Sequence, residues 1–518
     1  MQRVSGFHPG TIVVVMASIT VLGGCVGQAS VPATPLSTFV PPSVAPTHPV
    51  ATPFGVVPRF EPTPCPFDAE QTPGYAVDCG DVVVPEFHSD PAGPIVRLAV
   101  ARFRSQASKP VPDPVVYLAG GPGGPGLISG FTAQLAYNFT PTQDFIAFDQ
   151  RGVGHSEPSL TCPELTQQTR QELTQNESAT DELAHEVAAR FRCRDRLQSQ
   201  GIHLTAYNTT ESAADVNDIR MALGYDRVIL LGASYGTRLA LTVMRDSPEI
   251  VRSVVLDSVE PPQANEVEDL FSNADRALNL AFQGCVASTA CQIDVPTLQA
   301  DFNEAVKNLN AHPMTLPAVV LTGDRFSSQV VYLLSDRMRL GSLPALIEAA
   351  KRGDETYVRK ALSYYGNIGT IGNSTGMSTS VVCNDVLPFN SRDRTIGAAH
   401  SVPPGVSASV LPLALSYFAM CAGWPANPPD SRNYQAVQSD LPTLILESAN
   451  DPATPPANGQ LAARTLPKSF YVETPGVGHT VIGTACGMQL ITDFVGDPTK
   501  KPDASCTARM SITFVPTS

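Results

Sequence analysis

Between the apolar run Val228-Ile229-Leu230-Leu231 and the segment Thr237-Arg238-Leu239-Ala240-Leu241 stands Gly232-Ala233-Ser234-Tyr235-Gly236. A chain that leaves a buried strand and enters a helix through Gly-x-Ser-x-Gly turns so sharply that its flanking positions carry almost no side chain. The turn lifts the serine hydroxyl above the sheet, at a helix N-terminus. Ser234 is therefore the candidate nucleophile. The same pattern recurs at Gly372-Asn373-Ser374-Thr375-Gly376. There it follows the glycine-rich Tyr365-Gly366-Asn367-Ile368-Gly369 and precedes a polar segment, so this second match is predicted to be a loop, in a region partly disordered around Gly366–Ser380.

The rest of the chain supplies the sheet that such a turn needs. Pro94–Phe103 alternates like a strand with one wet face. Val115–Leu118, Asp144–Phe148, Val228–Leu231 and Val251–Asp257 are short apolar runs of the kind buried parallel strands show. A helix opens at Thr209-Thr210-Glu211, with Thr209 as its expected cap, and stops at Gly224. Alternation of strand and helix predicts a mostly parallel sheet covered on both faces. From about Glu260 to Pro425 the pattern turns helical, over Val267–Phe282, Thr297–Leu309, Val330–Leu340 and Leu343–Arg352. Strands resume at Leu441–Glu447 and Ser469–Glu473, and a last helix covers Ala485–Phe494. The expected organisation is a core over 65–260, a helical cap inserted over 261–425, and the remaining core over 426–518.

The N-terminus reads as a targeting segment over 1–24. Arg3 precedes the apolar run Thr11–Leu22, which is too short to span a bilayer and suits a signal peptide. Leu22-Gly23-Gly24-Cys25 resembles a bacterial lipobox, making Cys25 the candidate lipidation site and the membrane a candidate partner on the extracytoplasmic face. Residues 25–64, rich in proline, read as an extended tether. The other ten cysteines are an even set in an exported chain, which favours disulfides. Close spacings suggest 65 with 79, 285 with 291 and 486 with 506; 162 with 193 and 383 with 421 would complete the set. A formal net charge of −14 and the lack of a Lys/Arg block argue against a nucleic-acid partner. Neither Cys-x-x-Cys nor His-Glu-x-x-His occurs, and the glycine-rich loop at 120–126 lacks a Gly-Lys-Ser/Thr ending, so no metal or other cofactor is expected.

Serine needs a base to take its proton and an acid to orient that base. On a sheet with such an elbow the chain order is Ser, acid, His. An acid on the strand that resumes after the cap leaves only His479 downstream, in Gly476-Val477-Gly478-His479-Thr480. Asp451, in the loop after Leu444–Asn450, is the candidate acid. Glu447 and Glu473 are rivals on strands that would point them elsewhere, and Asp430 and Asp440 precede the strand at its wrong end. Two donors must face the developing oxyanion. These are the N–H of Tyr235 and, from Ala119-Gly120-Gly121-Pro122-Gly123-Gly124-Pro125-Gly126, that of Gly121, with Gly123 in reserve.

With Gly120-Gly121-Pro122-Gly123, then Asp149-Gln150-Arg151-Gly152-Val153-Gly154-His155-Ser156, then the elbow, the chain resembles the proline-iminopeptidase and tripeptidyl-aminopeptidase branch of the α/β-hydrolases. Cys421-Ala422-Gly423-Trp424-Pro425, Asn450-Asp451-Pro452-Ala453-Thr454-Pro455 and the Cys486 and Cys506 pair resemble the C-terminal region of the secreted tripeptidyl type. The likeness runs from about Cys65 onward. It departs at Ala119, where the family usually has histidine. It implies the α/β-hydrolase fold with an inserted cap, a peptide substrate cleaved near its free N-terminus, and an acyl-enzyme on Ser234. The Asp149–Gly152 loop reads as scaffold. Glu260 and Asp385 are conceivable receivers of a substrate amine, though a structural role outweighs that for each. The same triad would also serve a carboxylic ester, and a binding protein on a hydrolase scaffold is the reading from another class.

Overall fold

The computed structural model describes residues 58–67, 76–362 and 373–516. The signal segment, Cys25 and most of the tether lie outside the described residues. Among the described residues are eleven strands: β1 (Arg59–Pro62), β2 (Val77–Pro85), β3 (Ile95–Phe103), β4 (Val111–Leu118), β5 (Gln143–Phe148), β6 (Val228–Ala233), β7 (Val251–Asp257), β8 (Met314–Leu316), β9 (Val319–Leu321), β10 (Thr443–Ser448) and β11 (Ser469–Thr474). Nine of them form one sheet in the order β1-β2-β3-β5-β4-β6-β7-β10-β11. The β1–β2, β2–β3 and β3–β5 pairs are antiparallel, and every pair from β5–β4 to β10–β11 is parallel.

The short apolar runs are explained by two-sided burial. Ile229 and Leu231 face one core with Val255, Leu444 and Leu446, while Leu230 faces the other with Val254 and Ile445. With both faces covered, a strand has no wet position and its sequence loses alternation. The proline-rich start of the described chain adds an edge strand that the tether reading missed. β1 contains Pro62, and an edge position is where a strand tolerates proline.

Between β7 and β10 the chain builds the cap around its own core, with Phe271, Phe282, Leu298, Phe326, Leu343 and Leu346 buried in it. Its helices Glu266–Ala287, Val295–Ala311 and Leu343–Arg352 follow the predicted spans. The helix expected over Val330–Leu340 runs instead from Gly323 to Leu334, because the Thr322 side chain caps the Arg325 N–H and starts it earlier. β8 and β9 form a small hairpin within the cap. A second chain segment joins it: the helices Pro163–Glu172 and Ala179–Ser199, between β5 and β6, where the latter packs on the helix Pro404–Cys421. That last helix is long and apolar enough to cross a membrane, but in the fold it also packs against Glu266–Ala287 and Gly323–Leu334.

Of the stretch around Gly366–Ser380, residues 366–372 lie outside the described residues, and the loop expected around Ser374 is corrected. Ser374 is buried and caps a helix, Thr375–Val381, accepting the Met377 N–H at 3.4 Å. Gly376 there lies against the Leu160 backbone, so the glycine that suggested a loop marks a close helix contact. Asn208, rather than Thr209, caps the helix Thr209–Ala222 by accepting the Glu211 N–H. All five cysteine pairs form as the spacing suggested: 65–79, 162–193, 285–291, 383–421 and 486–506.

Candidate active site

Ser234 follows β6 with φ 56° and ψ −128° and opens the helix Tyr235–Asp246. A positive φ at a residue with a side chain is strained and persists only where surroundings enforce it. Here the Ser234 N–H donates to the Asp257 carbonyl at 2.9 Å, and the Ser234 carbonyl accepts the Thr237 hydroxyl at 2.6 Å. A Cβ on Gly236 would lie 2.0 Å from the Leu118 carbonyl oxygen, so only glycine lets this helix start against β4.

The Gly120–Gly126 loop lies directly over the serine. A Cβ on Gly120 would sit 2.9 Å from Ser234 Cβ and 3.4 Å from its Oγ. The Gly121 N–H makes no hydrogen bond among the described residues, and the Tyr235 N–H, first in its helix, has no intrahelical acceptor. The Gly123 N–H likewise makes no hydrogen bond among the described residues, and its carbonyl accepts the Ser374 N–H at 2.8 Å. The loop is held by its neighbour in sequence order. The buried Asp149 carboxylate accepts the N–H groups of Gly126, Leu127 and His155, and Gln150 Nε2 donates to the Ala119 carbonyl at 2.9 Å. Arg151, fully buried, grips Asp215 through two nitrogens at 2.8 and 2.7 Å and donates to the carbonyls of Glu86 and Ala206. These contacts make the Asp149–Gly152 loop scaffold.

Asp451 and His479 are brought together by the loops after β10 and β11. His479 Nδ1 lies 2.7 Å from Asp451 Oδ2. The carboxylate also accepts the N–H groups of Ala453 (2.8 Å) and Thr454 (3.0 Å) and the Thr454 hydroxyl (2.8 Å). Burial alone would push the Asp451 pKa up, yet the His479 charge, its hydrogen bond and the two N–H donors hold it below the ordinary value. Burial likewise opposes protonation of His479, and the Asp451 charge and hydrogen bond, with a further contribution from Asp257, overcome it and raise its pKa. No hydrogen bond joins Ser234 Oγ to His479 among the described residues. The two are linked through Asp257, whose carbonyl receives Ser234 and whose carboxylate receives the N–H groups of Val481 and Ile482, in the histidine loop.

The rival acids are engaged elsewhere. Glu447 is buried, with Oε1 accepting the Val259 N–H, and Glu473 is exposed beside the Tyr471 hydroxyl. Asp430 pairs with Arg432. Glu260 pairs with the buried Arg238, which also reaches Glu266. Both Asp385 oxygens are taken, by the Thr209 N–H and hydroxyl and by Asn433 Nδ2.

Three contacts of the cap with these loops had no signal in the sequence. Arg276, on the helix Glu266–Ala287, donates to the Ala449 and Asp451 carbonyls. The Ser335 carbonyl receives the His479 N–H at 2.8 Å, and Ser374 binds Gly123 as above. Thr454 was missed too, although a hydroxyl three residues after an aspartate is a recognisable turn signal. His88, Asp215 and Asp218 bring three possible metal-ligating atoms within 4.8 Å of one another. That cluster already holds cations, since Arg151 occupies Asp215 and His88 bonds Glu211 and Asp218.

The sequence profile of the alpha/beta hydrolase fold matches residues 113–485. The chain belongs to the alpha/beta hydrolase family. Among its relatives is the serine protease Hip1 of Mycobacterium tuberculosis, 28% identical over 483 residues that cover 86% of this chain and 90% of that protein. Tripeptidyl aminopeptidase of Streptomyces lividans is 28% identical over 438 residues, covering 79% of each. A crystal structure of proline iminopeptidase from Mycobacterium smegmatis aligns with 81% of this chain and 98% of its own, at 14% identity and a TM-score of 0.36.

Proposed function

We propose that this protein is a serine aminopeptidase that cleaves peptide bonds near the free N-terminus of peptides, with Ser234, His479 and Asp451 as its triad. The observation that carries the reading is the 2.7 Å contact of His479 Nδ1 with a buried, multiply hydrogen-bonded Asp451, in the chain order that follows an elbow serine. Asp451 fixes the tautomer that leaves Nε2 free to act as the base. His479 takes the Ser234 proton as Oγ attacks the carbonyl carbon. It returns the proton to the leaving amine, then activates water against the acyl-enzyme. The N–H groups of Gly121 and Tyr235 stabilise both tetrahedral oxyanions; the closeness of Gly120 to Ser234 favours Gly121 over Gly123. Peptidase activity is supported by the Hip1 and tripeptidyl aminopeptidase relatives.

Five disulfides fit an oxidising, extracytoplasmic compartment. Cys25 would carry the lipid that ties the enzyme to the membrane, with the proline-rich segment as spacer.

A tripeptide anilide with a free amine, its N-acetylated twin and a short acyl ester test the substrate class. Turnover of the free anilide alone is expected; turnover of the ester alone refutes the peptidase reading. Ser234→Ala must abolish hydrolysis, and retained activity refutes the triad. Cys25→Ser must release the protein from membranes, and a variant still bound to them refutes the anchor.

A further inference from the structure

Asp257 is a buried carboxylate that the chemistry above leaves without a part. It ends β7, the strand between the elbow strand β6 and the acid strand β10. Its main-chain carbonyl holds the Ser234 N–H at 2.9 Å. Its side chain turns to the other half of the site. Oδ1 accepts the Val481 N–H at 2.8 Å, and Oδ2 accepts the N–H groups of Val481 and Ile482 at 3.0 and 2.7 Å. Next in sequence, the Ser258 hydroxyl accepts the Thr480 N–H at 3.0 Å. Residues 480–482 directly follow His479, so three consecutive N–H groups of the histidine loop are received by two consecutive side chains at the end of β7. The same residue, Asp257, also holds the N–H of Ser234, so it ties the histidine loop to the elbow.

We propose that Asp257 is a positioning residue for the hydrolytic reaction: as an anion it fixes the His479 loop against the nucleophile elbow and adds a second negative charge facing the imidazolium. The proposal rests on the reading of His479 as the base. Asp451 acts on the ring through Nδ1, whereas Asp257 acts on the loop behind the ring. The titratable groups that share its surroundings are His479 and Asp451 on the loops after β11 and β10, Glu447 on β10 and Tyr117 on β4. Burial pushes the Asp257 carboxyl up to about 6 against the two N–H donors. Its ionisation therefore falls within the range where a histidine base also titrates, and both must lose a proton for the site to work.

The test is steady-state hydrolysis of the tripeptide anilide across the acid range by the full chain, its Asp257→Asn and Ser258→Ala variants, and His479→Ala as reference. Asp257→Asn is expected to lower kcat roughly tenfold to a hundredfold, the scale of a misplaced catalytic group, with KM within about twofold. Losing the anion must also move the acid limb of kcat/KM down by about half a unit or more. Ser258→Ala loosens the loop without changing charge, so kcat falls and the limb stays. An unshifted limb with unchanged kcat in Asp257→Asn overturns the proposal. If that variant does not fold, Asp257→Glu keeps the charge but displaces the acceptors; it must lower kcat with the limb in place, and unchanged kcat overturns the proposal. Activity surviving in His479→Ala would refute the triad itself, a separate failure.

Discussion

Raising the pH through about 9 is expected to remove one well-defined portion of this protein's stability, carried by His88. The ring lies in the turn after β2, with Nδ1 2.5 Å from Glu211 Oε2, and Nε2 3.1 Å from Asp218 and 3.8 Å from Asp215. Burial disfavours the imidazolium, but the bonds to Asp218 and Glu211 and the charge of Asp215 outweigh it, with Arg151 opposing, and the pKa rises to about 9. In the unfolded chain it returns to about 6.5. The folded value is the higher one, so the stabilisation is fully present below about 6.5 and is lost as the pH climbs through about 9. A difference of about 2.5 units corresponds to about 3.4 kcal/mol at most, and to about 2–3 because part of the ring meets solvent. Urea unfolding of the wild type and His88→Gln, near pH 6 and near pH 10, isolates the effect. The variant should be less stable by about 2–3 kcal/mol near pH 6 and should converge on the wild type near pH 10. Parallel losses in both proteins across that range would refute the reasoning, because the pH dependence would then belong to other groups.

Other outcomes bear on the active site and the cap. Asp451→Asn should cost about 10³–10⁴ in kcat with little change in KM, measured on the anilide, since the imidazole loses its tautomer. Gly120→Ala places a methyl 2.9 Å from Ser234 Cβ and from the Ala233 carbonyl. It should slow acylation by roughly a hundredfold in a burst assay, while circular dichroism stays unchanged. Replacing Cys162 and Cys193 by serine opens a link 31 residues long, and thermal unfolding should show a loss of about 3–4 kcal/mol.

The candidate site could be located from local chemistry. The elbow announces itself because its glycines and the apolar strand before it are neighbours in sequence, and His479 follows from chain order. Properties decided by distant pairing were not readable. Asn208 caps its helix while Thr209 bonds Asp385, a partner 176 residues away, and nothing local distinguishes the two. Ser374 begins a helix whose glycine is needed against Leu160, so a contact in space passed for a break in structure. Asp257 looked like any acid at a strand end until the parallel register placed it between β6 and β10. β1 was hidden by prolines that also suit an extended tether.

The three backbone contacts from cap to core bear on how such enzymes can be re-engineered. Arg276 holds the loop of Asp451, Ser335 the loop of His479, and Ser374 the glycine loop over Ser234. Exchanging the cap for that of another hydrolase, to change which substrates enter, would remove all three supports at once. A chimera that preserved Ser234, Asp451 and His479 would still lack the frame that holds their loops. Grafts should be cut so that Arg276 and the backbone at 335 and 374 stay with the host.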